Sequence, residues 1–296
     1  MARRGFLVMA VLAAASGSAQ SAAPAAATPD FSGIWVHANP GFEPMTAGPT
    51  SLINRARRPN GTGDILRLAG DYNNPILKPE AAEVVKKHGE LGMAGIGDPN
   101  PRNQCWPEGP PFVFTNGPTM LVQQKDKVTI LYVYAHQVRQ VRMNQQHPAK
   151  VTPTWYGDSV GHYEGDTLVV DTVGIKVGRY SMVDWYGTPH SEALHVIERY
   201  RLIDYDTAIQ ALERGAKENA SFVGNDSGVI ADLNNKGRHL ELQFTVEDEG
   251  VFTMPWNSTI TYRPSVDPWT ELICAENPRE FDNTVSHFPI ADKPDF

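Results

Sequence analysis

The chain holds only two cysteines, Cys105 and Cys274, and neither stands in a Cys-x-x-Cys or a metal-ligand spacing. It has no basic excess either: 26 Lys and Arg stand against 34 Asp and Glu, a formal charge of −8. An acidic chain without a basic patch does not offer the electrostatic footprint that nucleic acid requires. No Gly-x-Ser-x-Gly elbow, phosphate-binding glycine loop, dinucleotide fingerprint or His-Glu-x-x-His helix occurs, so the enzyme classes built on those motifs find no support and no cofactor is expected. Internal repeats are missing. After residue 15 no apolar run approaches the roughly 18 residues that cross a bilayer as a helix, so no stable membrane anchor is expected beyond the N-terminus.

What is present begins with an export signal. A basic start with Arg3 and Arg4 precedes a ten-residue apolar run from Phe6 to Ala15, too short to span a bilayer, and Gly17 and Ala19 suit a cleavage site. Residues 1–27 are read as signal peptide and leader, residues 28–296 as one domain, and the compartment as a bacterial periplasm or the exterior. Arg3-Arg4-Gly5-Phe6-Leu7 also fits the twin-arginine pattern; that route and the general secretory one both stay open. Removing Arg3 and Arg4 takes the charge to −10, because no acid precedes Asp30. An oxidising compartment favours a Cys105–Cys274 disulfide, two free buried thiols being the alternative.

Residues 28–118 are rich in Pro, Gly and Asn and read as an irregular wrapping segment, with one helix at 78–91 that starts on Pro79. From Thr119 the hydrophobic period becomes two. Nine strands are expected at 120–124, 128–135, 137–143, 160–163, 167–173, 194–203, 240–246, 258–262 and 271–274, with a helix at 206–218 as a lid over one mouth. Short links favour an antiparallel meander, and closing it removes the exposed edges. The expected fold is therefore mainly β: an antiparallel lipocalin-like barrel over residues 119–296, wide enough for a small ligand.

The sharpest local signal is the hairpin 159–172, whose turn Glu164-Gly165-Asp166 separates two β-favouring runs. With Asp30-Phe31-Ser32-Gly33-Ile34-Trp35, Cys105-Trp106-Pro107-Glu108-Gly109-Pro110-Pro111, His195-Val196-Ile197-Glu198-Arg199-Tyr200, Pro255-Trp256 and Cys274-Ala275-Glu276-Asn277, this order of motifs resembles an exported bacterial family marked by a Gly-His-aromatic-Glu-Gly-Asp-Thr-Leu-Val-Val-Asp-Thr hairpin. The likeness covers nearly all of the mature chain. That family usually has tryptophan where Tyr163 stands here, and the insertion after Asp206 suggests a subgroup with its own substrate. The Gly-x-Trp start and the hairpin also look lipocalin-like, which implies a cavity for an apolar small molecule.

Several residues could carry chemistry. In 194–202 the even positions hold Leu194, Val196, Glu198, Tyr200 and Leu202, so an inward apolar face would desolvate Glu198 and suit it to proton transfer near neutral pH. An internal salt bridge to an arginine across the barrel is the other reading. His190, in a loop after Pro189, is a second acid–base candidate, while His190 and His195 differ by an odd number and fall on opposite faces, against a metal site. Tyr132, Tyr134 and His136 are expected on one strand face as a wall for a phenolic or planar ligand. Arg139 and Arg142 point to opposite faces, so at most one reaches that cavity; Arg142 is the expected clamp. His162, His195, Trp155 and Trp256 complete the expected binding set, and Asp171 is expected to pair with Arg199 or Arg201. Trp106, Trp155, Trp185 and Trp256 could line an aromatic pocket or plug the barrel ends. The expected function is a cofactor-independent lyase or isomerase: His190 or His136 moves the proton, Glu198 orients or supplies it, and Tyr134 binds the substrate. The alternative is a carrier that uses the same cavity without chemistry.

Overall fold

A computed structural model describes residues 28–37, 41–97, 99–115, 117–219 and 231–274, so the expected signal and leader at 1–27 lie outside the described residues. Two-residue periodicity becomes strand wherever one side chain in two is apolar. The strands are β1 (Gly33–Val36), β2 (Glu43–Pro44), β3 (Thr119–Gln123), β4 (Lys127–Tyr132), β5 (Gln137–Met143), β6 (Asp158–Glu164), β7 (Thr167–Val173), β8 (His195–Ile203), β9 (His239–Glu247) and β10 (Trp256–Pro264). Nine of them, β1 and β3 through β10, pair in order and close through β1 and β10, while β2 adds to β10. The fold is a mainly antiparallel β-barrel of lipocalin-like type.

Three expectations are corrected. A closed ring with an odd number of strands cannot alternate direction all the way round. The odd step is β5 to β6, which are parallel through Val141↔Ser159, Arg142↔Val160 and Met143↔Gly161. A parallel pair needs a long crossover, and residues 144–157 supply it. Second, the N-terminal segment does more than wrap, because β1 pairs with both β3 and β10 and completes the ring. At the other end of the chain, the strand expected at 271–274 is a single bridge, Tyr134↔Leu272.

Both expected helices form. The helix α1 (Pro79–Met93) starts on Pro79 and buries Ala81, Val85 and Gly89; a Cβ on Gly89 would lie 3.3 Å from Ala69, so glycine permits the close approach. The helix α2 (Tyr205–Asn219) buries Ala208 and Ala211 against the barrel, touching β2, β9 and β10. It follows the end of β8, whereas His190 precedes the start of β8, so α2 sits away from the His190 mouth and does not lid it.

Inward positions are filled. Leu121, Ile130, Tyr132, Val141, Leu168, Val170, Val196, Tyr200, Leu242, Phe244 and Ile260 are buried in one core cluster. A barrel of about eight strands is just wide enough for its own side chains. Here a 3-10 turn, Phe112–Thr115, contributes filling: the Phe114 ring meets Phe244 edge to face at 5.4 Å and the Phe114 carbonyl accepts the Tyr262 hydroxyl at 3.2 Å. Buried Glu43 ties β2 down by accepting the Thr261 amide at 2.9 Å and hydroxyl at 2.8 Å.

Cys105 and Cys274 are joined, with Cα atoms 5.4 Å apart across a separation of 169 residues. Replacing both with serine is expected to lower unfolding stability by about 2–5 kcal/mol in denaturant titration. An unchanged midpoint would contradict that.

Candidate functional site

The interior contains a closed polar cluster rather than a reactive one. Glu198 on β8 and Arg139 on β5 are both fully buried and form a two-pronged pair, Nη1 to Oε2 at 2.8 Å and Nη2 to Oε1 at 2.5 Å. Arg139 also donates to Ser159 Oγ at 3.1 Å and Thr172 Oγ1 at 2.5 Å, and the Tyr200 hydroxyl donates to Glu198 Oε2 at 2.7 Å. Burial would pull the Arg139 guanidinium down, but Glu198 more than offsets it and its pKa is pushed up. The inward face of 194–202 is as expected, yet Glu198 is not a lone desolvated acid. The cross-barrel arginine satisfies it.

The expected wall of Tyr132, Tyr134 and His136 does not form, because β4 ends at Tyr132 and Ala135 and His136 take φ of +52° and +47°, turning the chain. Only Tyr132 faces inward. Burial pushes its hydroxyl up to about 12, and it lies near Arg139 without a hydrogen bond of its own. Tyr134 donates instead to the Arg102 carbonyl at 2.5 Å and lies 3.0 Å from Cys274 Sγ, and His136 Nε2 meets the Thr270 carbonyl at 3.3 Å. Both are tied to residues 270–274, a C-terminal strap. Arg142 is the outward arginine of β5 and pairs with Asp158 at 2.7 Å; the inward one is Arg139, by strand alternation. His162 is exposed beside Glu164 at 3.1 Å. Trp256 is buried among Phe42, Phe244 and Phe252 as core. His195 faces outward and meets Asp171, which pairs with His147 and His195 rather than with either arginine, since Arg199 takes Glu164 and Arg201 takes Glu241.

Two expected residues do come together, Trp155 and His190, at the barrel mouth beside the disulfide. The Trp106 ring makes edge contacts with Trp155 at 5.4 Å and Tyr180 at 5.7 Å. Lys176 Nζ stands 4.7 Å over the Trp155 ring, and Arg179 stands 5.2 Å over Tyr180. Gly178 makes this possible, because a Cβ there would lie 2.7 Å from Trp155 and 3.0 Å from Trp106 Nε1. Beneath them Arg102 clasps buried Glu108 at 3.0 and 3.2 Å and stacks 4.7 Å over Trp185. Gln137 Oε1 accepts from the Glu108 amide and the Tyr156 hydroxyl, both at 2.8 Å; burial, then Glu108, pushes that hydroxyl up to about 12.

Trp155, Lys176, Ser181, Met182 and His190 line a gap of about 10 Å³, room for one water. Burial lowers the His190 pKa, partly offset by its bond to the Ser191 carbonyl at 3.1 Å. That carbonyl can only accept, so Nδ1 carries the proton and Nε2 keeps a lone pair. A second cleft, of about 180 Å³, lies between Met45 and the strand surface of Ile197, Arg199, Gln243 and Asn257; it has no tryptophan or tyrosine and none of the expected residues. Among the described residues no group of His, Cys, Asp or Glu is arranged to hold a metal.

Fold and mouth together define a side-chain-filled barrel with an aromatic, cation-rimmed rim. No family model, curated protein or solved structure matches the chain. Trp106 is one of the four tryptophans expected to line a pocket or plug the barrel ends; Arg102, Glu108, Lys176 and Tyr180 were not among the expected site residues, and the run Cys105-Trp106-Pro107-Glu108-Gly109 signals only Trp106 and Glu108.

Glu198→Gln is expected to lower stability by about 3–5 kcal/mol, since it strands a buried guanidinium; the Arg139→Met, Glu198→Leu double variant should recover most of it. Denaturant titration of the three proteins checks this. The loop aspartate Asp184 gives a pH test: burial, opposed by bonds from Thr188 and Tyr186, raises its pKa to about 6. A carboxyl raised on folding stabilises below its unfolded value and loses that contribution as pH climbs to the folded one. Asp184→Asn should therefore melt at a higher temperature than the parent at pH 7, the difference fading towards pH 4; a parent more stable than the variant at pH 7 would contradict this.

Proposed function

We propose that this is an exported binding protein that holds a small, hydrophobic, planar molecule at the mouth of its barrel. One observation carries the reading: Trp155 and His190 line one gap at the mouth, and the Trp155 ring is backed edge to face by Trp106, which in turn meets Tyr180. The buried indole N–H groups of Trp106 and Trp185 have no hydrogen-bond partner and can donate to a ligand oxygen. Lys176 and Arg179 favour a ligand with anionic character. Because the gap now admits one water, binding a ring requires Trp155 or the 176–182 loop to swing outward. The early apolar run and the disulfide support export, and no described helix is long and apolar enough to cross a membrane.

The lyase or isomerase reading is the second. Proton-transfer catalysis needs ionisable groups within reach of the ligand. Glu198 is engaged by Arg139, and Tyr134 and His136 by the strap, so His190 with its free Nε2 is what favours it. Binding of 1-naphthol, followed by tryptophan fluorescence, tests the proposal. Trp106→Ala should weaken it about tenfold or more, while Tyr132→Phe, which only deletes a partnerless interior hydroxyl, should leave affinity unchanged and raise the melting temperature. Affinity lost in Tyr132→Phe but kept in Trp106→Ala would overturn it. Slow consumption of ligand, abolished in His190→Gln, would favour the enzyme.

A further inference from the structure

An outer chain of charged groups runs across five barrel strands and plays no part in the mouth chemistry. His147, in the β5–β6 crossover, places Nδ1 at 2.6 Å from Asp158 Oδ1 and Nε2 at 3.0 Å from Asp171 Oδ1. His195, on β8, places Nε2 at 3.0 Å from the same Asp171 oxygen and Nδ1 at 3.2 Å from Glu247 Oε2. Asp158 is also held by Arg142 of β5 at 2.7 Å. Proton counting is decisive. Four ring nitrogens each face a carboxylate oxygen, which only accepts, so all four contacts are hydrogen bonds only when each ring carries two protons. A neutral ring has one N–H and would turn a lone pair towards a carboxylate.

We infer that His147 and His195, with Asp171 between them, form a proton-operated latch that holds the crossover on the barrel wall. Of residues 144–153 only His147 and Val151 are even half-buried, the rest being exposed; besides the Asn144 amide on the Gly161 carbonyl at 2.7 Å and an exposed Arg142–Gln145 contact at 3.3 Å, His147 is the side chain that fastens residues 145–150. Val151 packs on Gly174 and residues beyond it are bonded to the 174–176 backbone. A ring at 147 that makes only one of its two carboxylate contacts therefore loosens residues 145–150 first. The facing groups come from every adjoining element: Asp171 from β7, Glu247 from β9, Asp158 from β6 and, through Asp158, Arg142 from β5. The Asp171 hydrogen bond, against burial, holds the His195 imidazole above its usual 6.5, and the His195 hydrogen bond, against burial, holds Asp171 below its usual 3.8. A raised imidazole stabilises fully below its unfolded value and is lost as pH rises through the folded one; a lowered carboxyl stabilises above its unfolded value and is lost as pH falls through the folded one. The Asp171–His195 contact thus survives to a higher pH than a free imidazole would keep its proton and to a lower pH than a free carboxyl would keep its charge. Trp155 lies in the last turn of the crossover, so the latch would tune the mouth; that consequence, unlike the latch, rests on the binding reading.

Hydrogen exchange of the backbone amides in 145–150 tests it without any ligand. After correction for intrinsic rates, protection at about pH 5.5 should exceed that at about pH 8.5 by roughly tenfold, with all four ring nitrogens protonated at the lower pH in ¹⁵N-histidine spectra. His147→Gln, or Asp171→Asn should the first variant fold poorly, should abolish the difference. Equal protection of the parent at both pH values, or a singly protonated ring at pH 5.5, overturns the latch. Failure of 1-naphthol to bind would touch only the mouth.

Discussion

The ion pair between Arg139 and Glu198 is the constraint on which the rest of the barrel depends. Two charges removed from water cost several kcal/mol each unless their geometry and their remaining hydrogen bonds compensate. Here compensation is drawn from four successive strands: Arg139 on β5, Ser159 on β6, Thr172 on β7 and Glu198 on β8. They span the one parallel junction, whose ladder has three registered pairs where β6 and β7 have seven. A slip of one residue in any of these strands would turn its member of the cluster to the outside. The pair thereby fixes register where the backbone ladder is short.

The same pair occupies the space in which a lipocalin-like fold would hold its ligand. With Tyr132, Tyr200 and Phe114 around it, the interior is packed rather than hollow. On the proposed binding reading, recognition moves outward, to where loops supply rings. The disulfide ties Cys105, next to Trp106, to Cys274, Arg102 grips Glu108 beneath, and Gly178 lets the 176–182 loop close on the two indoles. Rigid support under a small adaptable rim is a usual arrangement for a binding loop cluster.

Strand positions were legible because alternation is local: the inward set of 194–202 could be read from five side chains. The parallel β5–β6 step was not, since nothing in residues 144–157 announces that the chain recrosses the sheet. Tyr134 and His136 were misplaced for a related reason. Two non-glycine residues at positive φ broke a run that otherwise reads as strand. The salt-bridge alternative for Glu198 was visible, and its arginine lay in the sequence, but choosing between Arg139 and another basic residue needs the register. Trp106 and Arg102 lie in an irregular segment where periodicity carries no information, so only the three-dimensional meeting of 102–108 with 155 and 176–190 makes them a site.

The central claim is that the barrel is filled and that a ligand is received at the mouth. A crystal structure of the protein with 4-bromophenol, located by the anomalous signal of bromine, tests it most directly. The account predicts the bromine peak between Trp106, Trp155 and His190, with the Arg139–Glu198 pair undisturbed. A peak inside the barrel beside Tyr132 and Tyr200, with that pair opened, would contradict it.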